Sequence, residues 1–112
     1  MSAEFRSASG AARVILNRVI PDTGADTTTL PWTDCQQLQL SPAAGIPGMI
    51  GGVGGGRAVT IGFLIWVWLD GQEYPCQLQA VFGGLERILG RDVLNRLDIL
   101  FRGPTGEVIV NP

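Results

Sequence analysis

Asp22-Thr23-Gly24-Ala25-Asp26-Thr27-Thr28-Thr29-Leu30 (DTGADTTTL) is the stretch on which the fold turns. The run before it, Arg13 to Ile20 (RVILNRVI), is β-branched and apolar, which predicts a strand. That strand runs directly into Pro21-Asp22-Thr23-Gly24, a turn signal. Gly24 lets the backbone bend sharply and approach a neighbour closely. A carboxylate at the tip of such a turn, facing a cleft, is well placed for acid–base work. Thr23 adds a short hydroxyl beside it. Taken alone, Asp-Thr-Gly is a weak signal, because these are ordinary turn residues and a surface turn explains them as well.

Composition narrows the chemistry. The chain has 112 residues, the length of one modest domain. Sixteen glycines and seven prolines predict many turns and short elements, hence an all-β design. All eight basic residues are Arg; Lys and His are absent. Without His there is no Ser-His or Cys-His pair and no imidazole zinc site. Without Lys there is no Schiff base and no phosphate-loop lysine. Carboxylates are left as the leading acid–base groups, and no cofactor or metal is expected. The net charge of −2 argues against a nucleic-acid partner. Cys35 and Cys76 stand far apart, without CxxC spacing, and read as ordinary reduced residues.

Outward from the turn, the elements are short. Residues 1–12 are small and polar, and read as a loose arm or an edge strand ordered by a partner. Thr27 to Leu30 looks extended, and Thr33 to Leu40 holds a short helical turn with Thr33 or Asp34 near its start. Ser41 to Gly48 reads as a loop. Met49 to Gly56 (MIGGVGGG) is a glycine-dense loop between apolar flanks. Val59 to Leu69 (VTIGFLIWVWL) is a long strand, ended by the hairpin signal Asp70-Gly71. Tyr74 to Phe82 alternates as a half-buried strand does. Asp92 to Leu97 predicts a short helix with Asp92 at its N-cap. Asp98 to Phe101, a turn at Pro104-Thr105-Gly106 and a strand at Glu107 to Val110 complete the chain. No internal repeat or linker divides it, so residues 1–112 are expected to form one domain.

Three segments in order carry a resemblance: DTGADTTTL, MIGGVGGG (Met49 to Gly56) and ILGRDVLNRL (Ile88 to Leu97). Together they resemble the retropepsin family of retroviral-type aspartic proteases, from Val14 to Phe101. The resemblance implies a small closed β-barrel or sandwich with a glycine-rich flap hairpin and one short C-terminal helix. It implies that Asp22 is the catalytic acid and that Thr23 locks two active-site loops across a dimer. It implies that the Gly24 carbonyl accepts a bond from the substrate backbone. Ala25 and Asp26 would also meet substrate, Asp26 being paired with Arg91. Ile50, Gly51, Gly52 and Val53 would meet it from the flap, with the Val53 amide holding a water. A glycine-rich loop can also cradle phosphate, but no GK[ST] and no GxGxxG is present.

Only one Asp-[Ser/Thr]-Gly occurs, so the resemblance further implies a homodimer that brings two Asp22 residues together. The expected activity is hydrolysis of peptide bonds in extended polypeptides. The alternative is a catalytically silent peptide-binding or dimerisation module of the same fold. Pro21, standing where the family has an aliphatic residue, favours that alternative. No basic segment followed by an apolar run opens the chain, so no signal peptide is expected. No apolar run reaches the ~20 residues of a membrane-spanning helix. The expected location is the cytoplasm, with no membrane partner.

Overall fold

The computed structural model describes residues 1–51 and 56–111. Strands β1 (Ala3–Arg6), β2 (Arg13–Leu16) and β3 (Val19–Pro21) lead to the acidic turn, and β4 (Thr28–Pro31) leaves it. Helix α1 (Trp32–Gln37) and a 3-10 turn (Pro42–Ala44) precede β5 (Ile46–Gly51) and β6 (Arg57–Leu69). Then come β7 (Gln72–Val81), β8 (Arg87–Leu89), α2 (Arg91–Leu94), β9 (Ile99–Arg102) and β10 (Glu107–Val110).

The main sheet runs β2-β1-β6-β7-β4-β8-β3, with β5 added on β6. Its first and last strands, β2 and β3, are consecutive in the chain and joined only by Asn17-Arg18, so the sheet curls back on itself. Strands β9 and β10 form a separate two-stranded hairpin. The all-β expectation holds, with short helices confined to connections. No helix among the described residues is long and apolar enough to cross a membrane.

The long β6–β7 hairpin is the spine. Its turn, Asp70-Gly71, has positive φ at both residues, the conformation whose twist matches the flanking strands. Alternation then sorts the side chains. Ile65, Val67 and Leu69 of β6 and Tyr74, Cys76, Leu78 and Ala80 of β7 point inward. Leu64, Trp66 and Trp68 point outward, with the Arg6 guanidinium 4.4 Å over the Trp68 ring. Phe5, Leu30, Leu78 and Leu89 are wholly buried, each contributing about 1.5–3 kcal/mol by removal from water.

Some local expectations change. Residues 1–12 are not a loose arm. Strand β1 lies between β2 and β6, and Phe5 is fully buried in the core. One buried aromatic outweighs the small polar residues around it. The loop predicted for Ser41 to Gly48 is shorter, because β5 already begins at Ile46 and pairs with Gly62 of β6. Helix α1 starts at Trp32 behind Pro31, with no side-chain cap from Thr33 or Asp34. In α2 the N-cap is Gly90, not Asp92. The Asp92 carboxylate is engaged elsewhere, as the site shows.

Candidate active site

Strand β3 pairs in parallel with β8, with Pro21 opposite Leu89. The Asp22 N–H donates to the Leu89 carbonyl at 3.0 Å. In a parallel ladder successive residues turn their amides to opposite sides. Pro21 therefore presents its nitrogen to the open edge, since β3 ends the sheet order, and its missing N–H leaves no ladder bond unmade. The chain then turns tightly. Ala25 N–H donates to the Asp22 carbonyl at 3.2 Å, and Gly24 N–H donates to Asp22 Oδ1 at 2.8 Å. A Cβ on Gly24 would sit 3.2 Å from that same Oδ1. Asp22 is half-buried; Thr23, Gly24 and Asp26 are exposed, and Ala25 is half-buried.

The segment Gly90-Arg91-Asp92 clamps this turn from behind. A Cβ on Gly90 would lie 2.3 Å from the Thr27 carbonyl carbon and 2.4 Å from its oxygen, so only glycine fits. Gly90 N–H donates to Thr28 Oγ1 at 3.1 Å, and Arg91 N–H donates to the Ala25 carbonyl at 2.8 Å. The buried Thr28 hydroxyl donates to Asp92 Oδ1 at 2.9 Å, while Asp92 Oδ2 accepts from Gln77 N–H at 2.8 Å. The Arg91 guanidinium pairs with the Asp26 carboxylate. Both of those side chains are largely exposed, so this pair orders the outer rim of the turn more than it stabilises the fold. Asp92 thus bridges β4 and β7, which is why it is not free to cap its own helix.

Thr28, Gln77 and Asp92 were not among the site residues expected from sequence. Thr28 and Asp92 lay inside the quoted motifs, but nothing local to either announces their contact across 64 positions. A second missed feature stands behind the site. Asp34 of α1, buried, accepts a forked pair of bonds from Arg87 Nε (2.8 Å) and Nη2 (3.0 Å). Arg87 Nη1 also donates to the Asn17 carbonyl at 2.9 Å. Asp34 raises the Arg87 pKa, chiefly through this hydrogen bonding. The pair ties α1, the β2–β3 link and β8 into one frame around Asp22.

The β5–β6 hairpin projects on the chain between Ile46 and Leu69, with Ile50 opposite Ala58 and Gly51 opposite Arg57. Gly52, Val53, Gly54 and Gly55, including two of the expected substrate-contacting residues, lie outside the described residues. A groove of about 410 Å³ lies on the Asp26 side of the turn, lined by Asp26, Gln77, Arg91, Asp92, Asn95 and Arg96. A second, of about 230 Å³, lies beneath β5 and β6. Asp22 lines neither. No cluster of three or more metal-ligating side chains occurs among the described residues.

Cys35 and Cys76 are both buried thiols. Burial, helped by the nearby Asp34 charge, pushes Cys35 up to about 12. Burial and then Asp92 push Cys76 up well beyond the usual thiol range. Neither is a nucleophile near neutral pH.

Comparison with solved structures gives the same architecture. The chain is similar to EIAV protease complexed with the inhibitor HBY-793, with a TM-score of 0.61 and 24% identity. The match covers 86% of this chain and 84% of that one. The fold is retropepsin-like. No family model matches the sequence, and no curated protein does.

Proposed function

We propose that this chain is an aspartic endopeptidase that works as a homodimer, with Asp22 as its catalytic acid. The observation that carries the reading is the clamped turn: in a retropepsin-like fold, Gly90-Arg91-Asp92 holds Asp22-Thr23-Gly24 from behind and leaves its front open. The aspartic protease dyad is itself the standard illustration of two carboxylates, about 3 Å apart, that share one proton. One chain supplies one such acid, and a two-fold axis supplies the other.

In the proposed reaction, ionised Asp22 takes a proton from a water molecule. The water oxygen attacks the scissile carbonyl carbon, while the protonated Asp22 of the second copy donates to the carbonyl oxygen. The tetrahedral intermediate collapses as the C–N bond breaks and a proton passes to the leaving nitrogen. The dyad returns to its singly protonated state. Thr23 ties the two turns together. The Gly24 carbonyl, Ala25 and Asp26 hold the substrate backbone, with Arg91 steadying Asp26. The substrate lies extended, as an added strand. Ile50, Gly51, Gly52 and Val53 cover it from the β5–β6 hairpin, which acts as the flap. That EIAV protease, of the same fold, is complexed with an inhibitor supports the reading of this chain as a protease that binds a ligand.

The test is cleavage of a peptide library by wild type and Asp22→Asn, with and without a statine-type inhibitor. The expected outcome is a loss of about 10³-fold or more in Asp22→Asn, and activity in wild type that is best at mildly acidic pH. Equal cleavage by both proteins would remove Asp22 from the chemistry. Inhibitor-sensitive peptide binding without any cleavage would point to the silent module instead.

A further inference from the structure

We propose that the outer face of the β6–β7 hairpin carries a second binding site for the polypeptide substrate, a trough that takes an extended segment remote from the scissile bond and selects an acidic residue through Arg96. The inference rests on the protease reading above and deepens it. Two grooves meet on this face. Gly62 stands opposite Gln79 and Leu64 opposite Gln77, so these four residues share one side of the hairpin. Leu64 and Gln77 line both the larger groove beside α2 and the smaller one beside β5. The two are therefore one trough, which ends at Ile46 and Pro47 of β5. Gly62 adds no side chain to its floor, and a Cβ there would press on Gln79 Nε2 at 3.1 Å.

The trough begins where the proposed cleft ends. Asp26, which holds the substrate backbone in that reading, also lines the larger groove. A substrate chain that continues past Asp26 meets Asn95 and Arg96 at the end of α2, then Leu64 and Gln77. Contacts made so far from the reacting bond are the same before and during its cleavage. They act on KM and leave kcat alone.

The lining says what that chain carries. Leu64 is 70% exposed where the grooves meet, and Trp66 and Pro75, paired on the next rung of the same face, extend the apolar strip. Such a strip fits an apolar side chain. Most of the charges beside it are already engaged. Asp26 pairs with Arg91, and each Asp92 oxygen accepts a bond from the fold, one from the Thr28 hydroxyl and one from Gln77 N–H. Arg96 is exposed and enters none of the ion pairs among the described residues. An open guanidinium matches a carboxylate, which it holds with two parallel bonds. The exposed Gln77 and Asn95 amides offer donors and acceptors together, the complement of a peptide backbone.

The test uses the full chain and two arms. A short peptide is taken from the library above as the best substrate or, failing cleavage, the best binder. It is compared with versions lengthened at both ends by segments that carry Leu and Glu, or Leu and Lys. Wild type is expected to cleave the lengthened Glu peptide with a higher kcat/KM than the short one. Arg96→Glu should lower that value about tenfold, through KM, and cleave the short peptide as wild type does. The lengthened Lys peptide should favour Arg96→Glu over wild type, a reversal that a merely structural Arg96 would not produce. Leu64→Ser should weaken both lengthened peptides alike. The second arm needs no turnover: fluorescence anisotropy of the labelled, lengthened peptides on Asp22→Asn, with and without Arg96→Glu. Equal kcat/KM for short and lengthened peptides in wild type overturns the trough and leaves the protease reading standing. An equal loss on both in Arg96→Glu does the same. A lengthened Glu peptide that is neither cleaved nor bound also overturns it. Arg96-dependent binding without cleavage by wild type leaves the trough standing and sinks the protease reading.

Discussion

Gly90 sits where two backbones touch, and this decides how the acidic turn is held. Any side chain there would enter the Thr27 carbonyl, and both groups belong to main chain that hydrogen bonds fix on each side. Overpacking of a tight contact costs about 1–3 kcal/mol, and relief here needs backbone movement. Gly90→Ala is therefore expected to lower the unfolding free energy by at least that amount, seen as a lower denaturation midpoint, and to reduce the proposed cleavage further, since the turn moves with its clamp. A midpoint equal to wild type would show that the two segments separate freely. At this scale the sequence was a good guide to position and a poor one to cause. The Gly90-Arg91-Asp92 run was visible as a motif. That Asp92 serves Thr28 and Gln77, instead of capping its own helix, follows from atoms brought together only by the fold. Pro21 shows the reverse case: it looked disruptive locally, and the ladder's alternation makes it harmless.

Elements rather than residues carry the Asp34–Arg87 pair, which fastens α1 to β8. Asp34 is buried, so removing it leaves a guanidinium facing a desolvated gap. Asp34→Ala is expected to destabilise by about 3 kcal/mol, near the lower end for a broken buried pair because Arg87 is partly solvated. A double-mutant cycle with Arg87→Ala measures the coupling, and a coupling near zero would mean that the pair contributes nothing beyond its two side chains. No pattern in the chain pointed to it, since the partners lie 53 positions apart. Elements with local signatures were readable: the Asp70-Gly71 turn, the alternation of β7 and the apolar run of β6. Strand β1 was not, because its short run offers one large apolar side chain, and its place between β2 and β6 depends on partners remote in sequence.

The whole molecule carries two buried thiols in one core, and this gives its stability a direction with pH. Cys35 is held up to about 12 from an ordinary value of 9.0, and Cys76 moves the same way. Below the unfolded value both states keep the thiol protons, and the groups leave stability unchanged. Above it the unfolded chain releases protons that the folded chain retains, so stability falls as pH rises toward the folded values. Denaturant unfolding from pH 7 to about 10.5 should thus be flat at first and decline above about pH 9. The double variant Cys35→Ala, Cys76→Ala should decline less steeply, from a lower starting stability because it also loses packing. An unchanged slope would locate the alkaline sensitivity elsewhere. The order of the strands in the sheet was the least legible property of all, since it rests on pairings that no short motif encodes.

The clamp behind Asp22 also sets a timetable. The acidic motif leaves the ribosome before Gly90, Arg91 and Asp92, which follow more than sixty residues later. Until they arrive, β3 has no β8 to lie against and Thr28 has no carboxylate to bind. A nascent or truncated chain ending before residue 90 thus displays the whole acidic motif without the geometry that sets it. The turn is therefore set only once that later segment has emerged and paired with it.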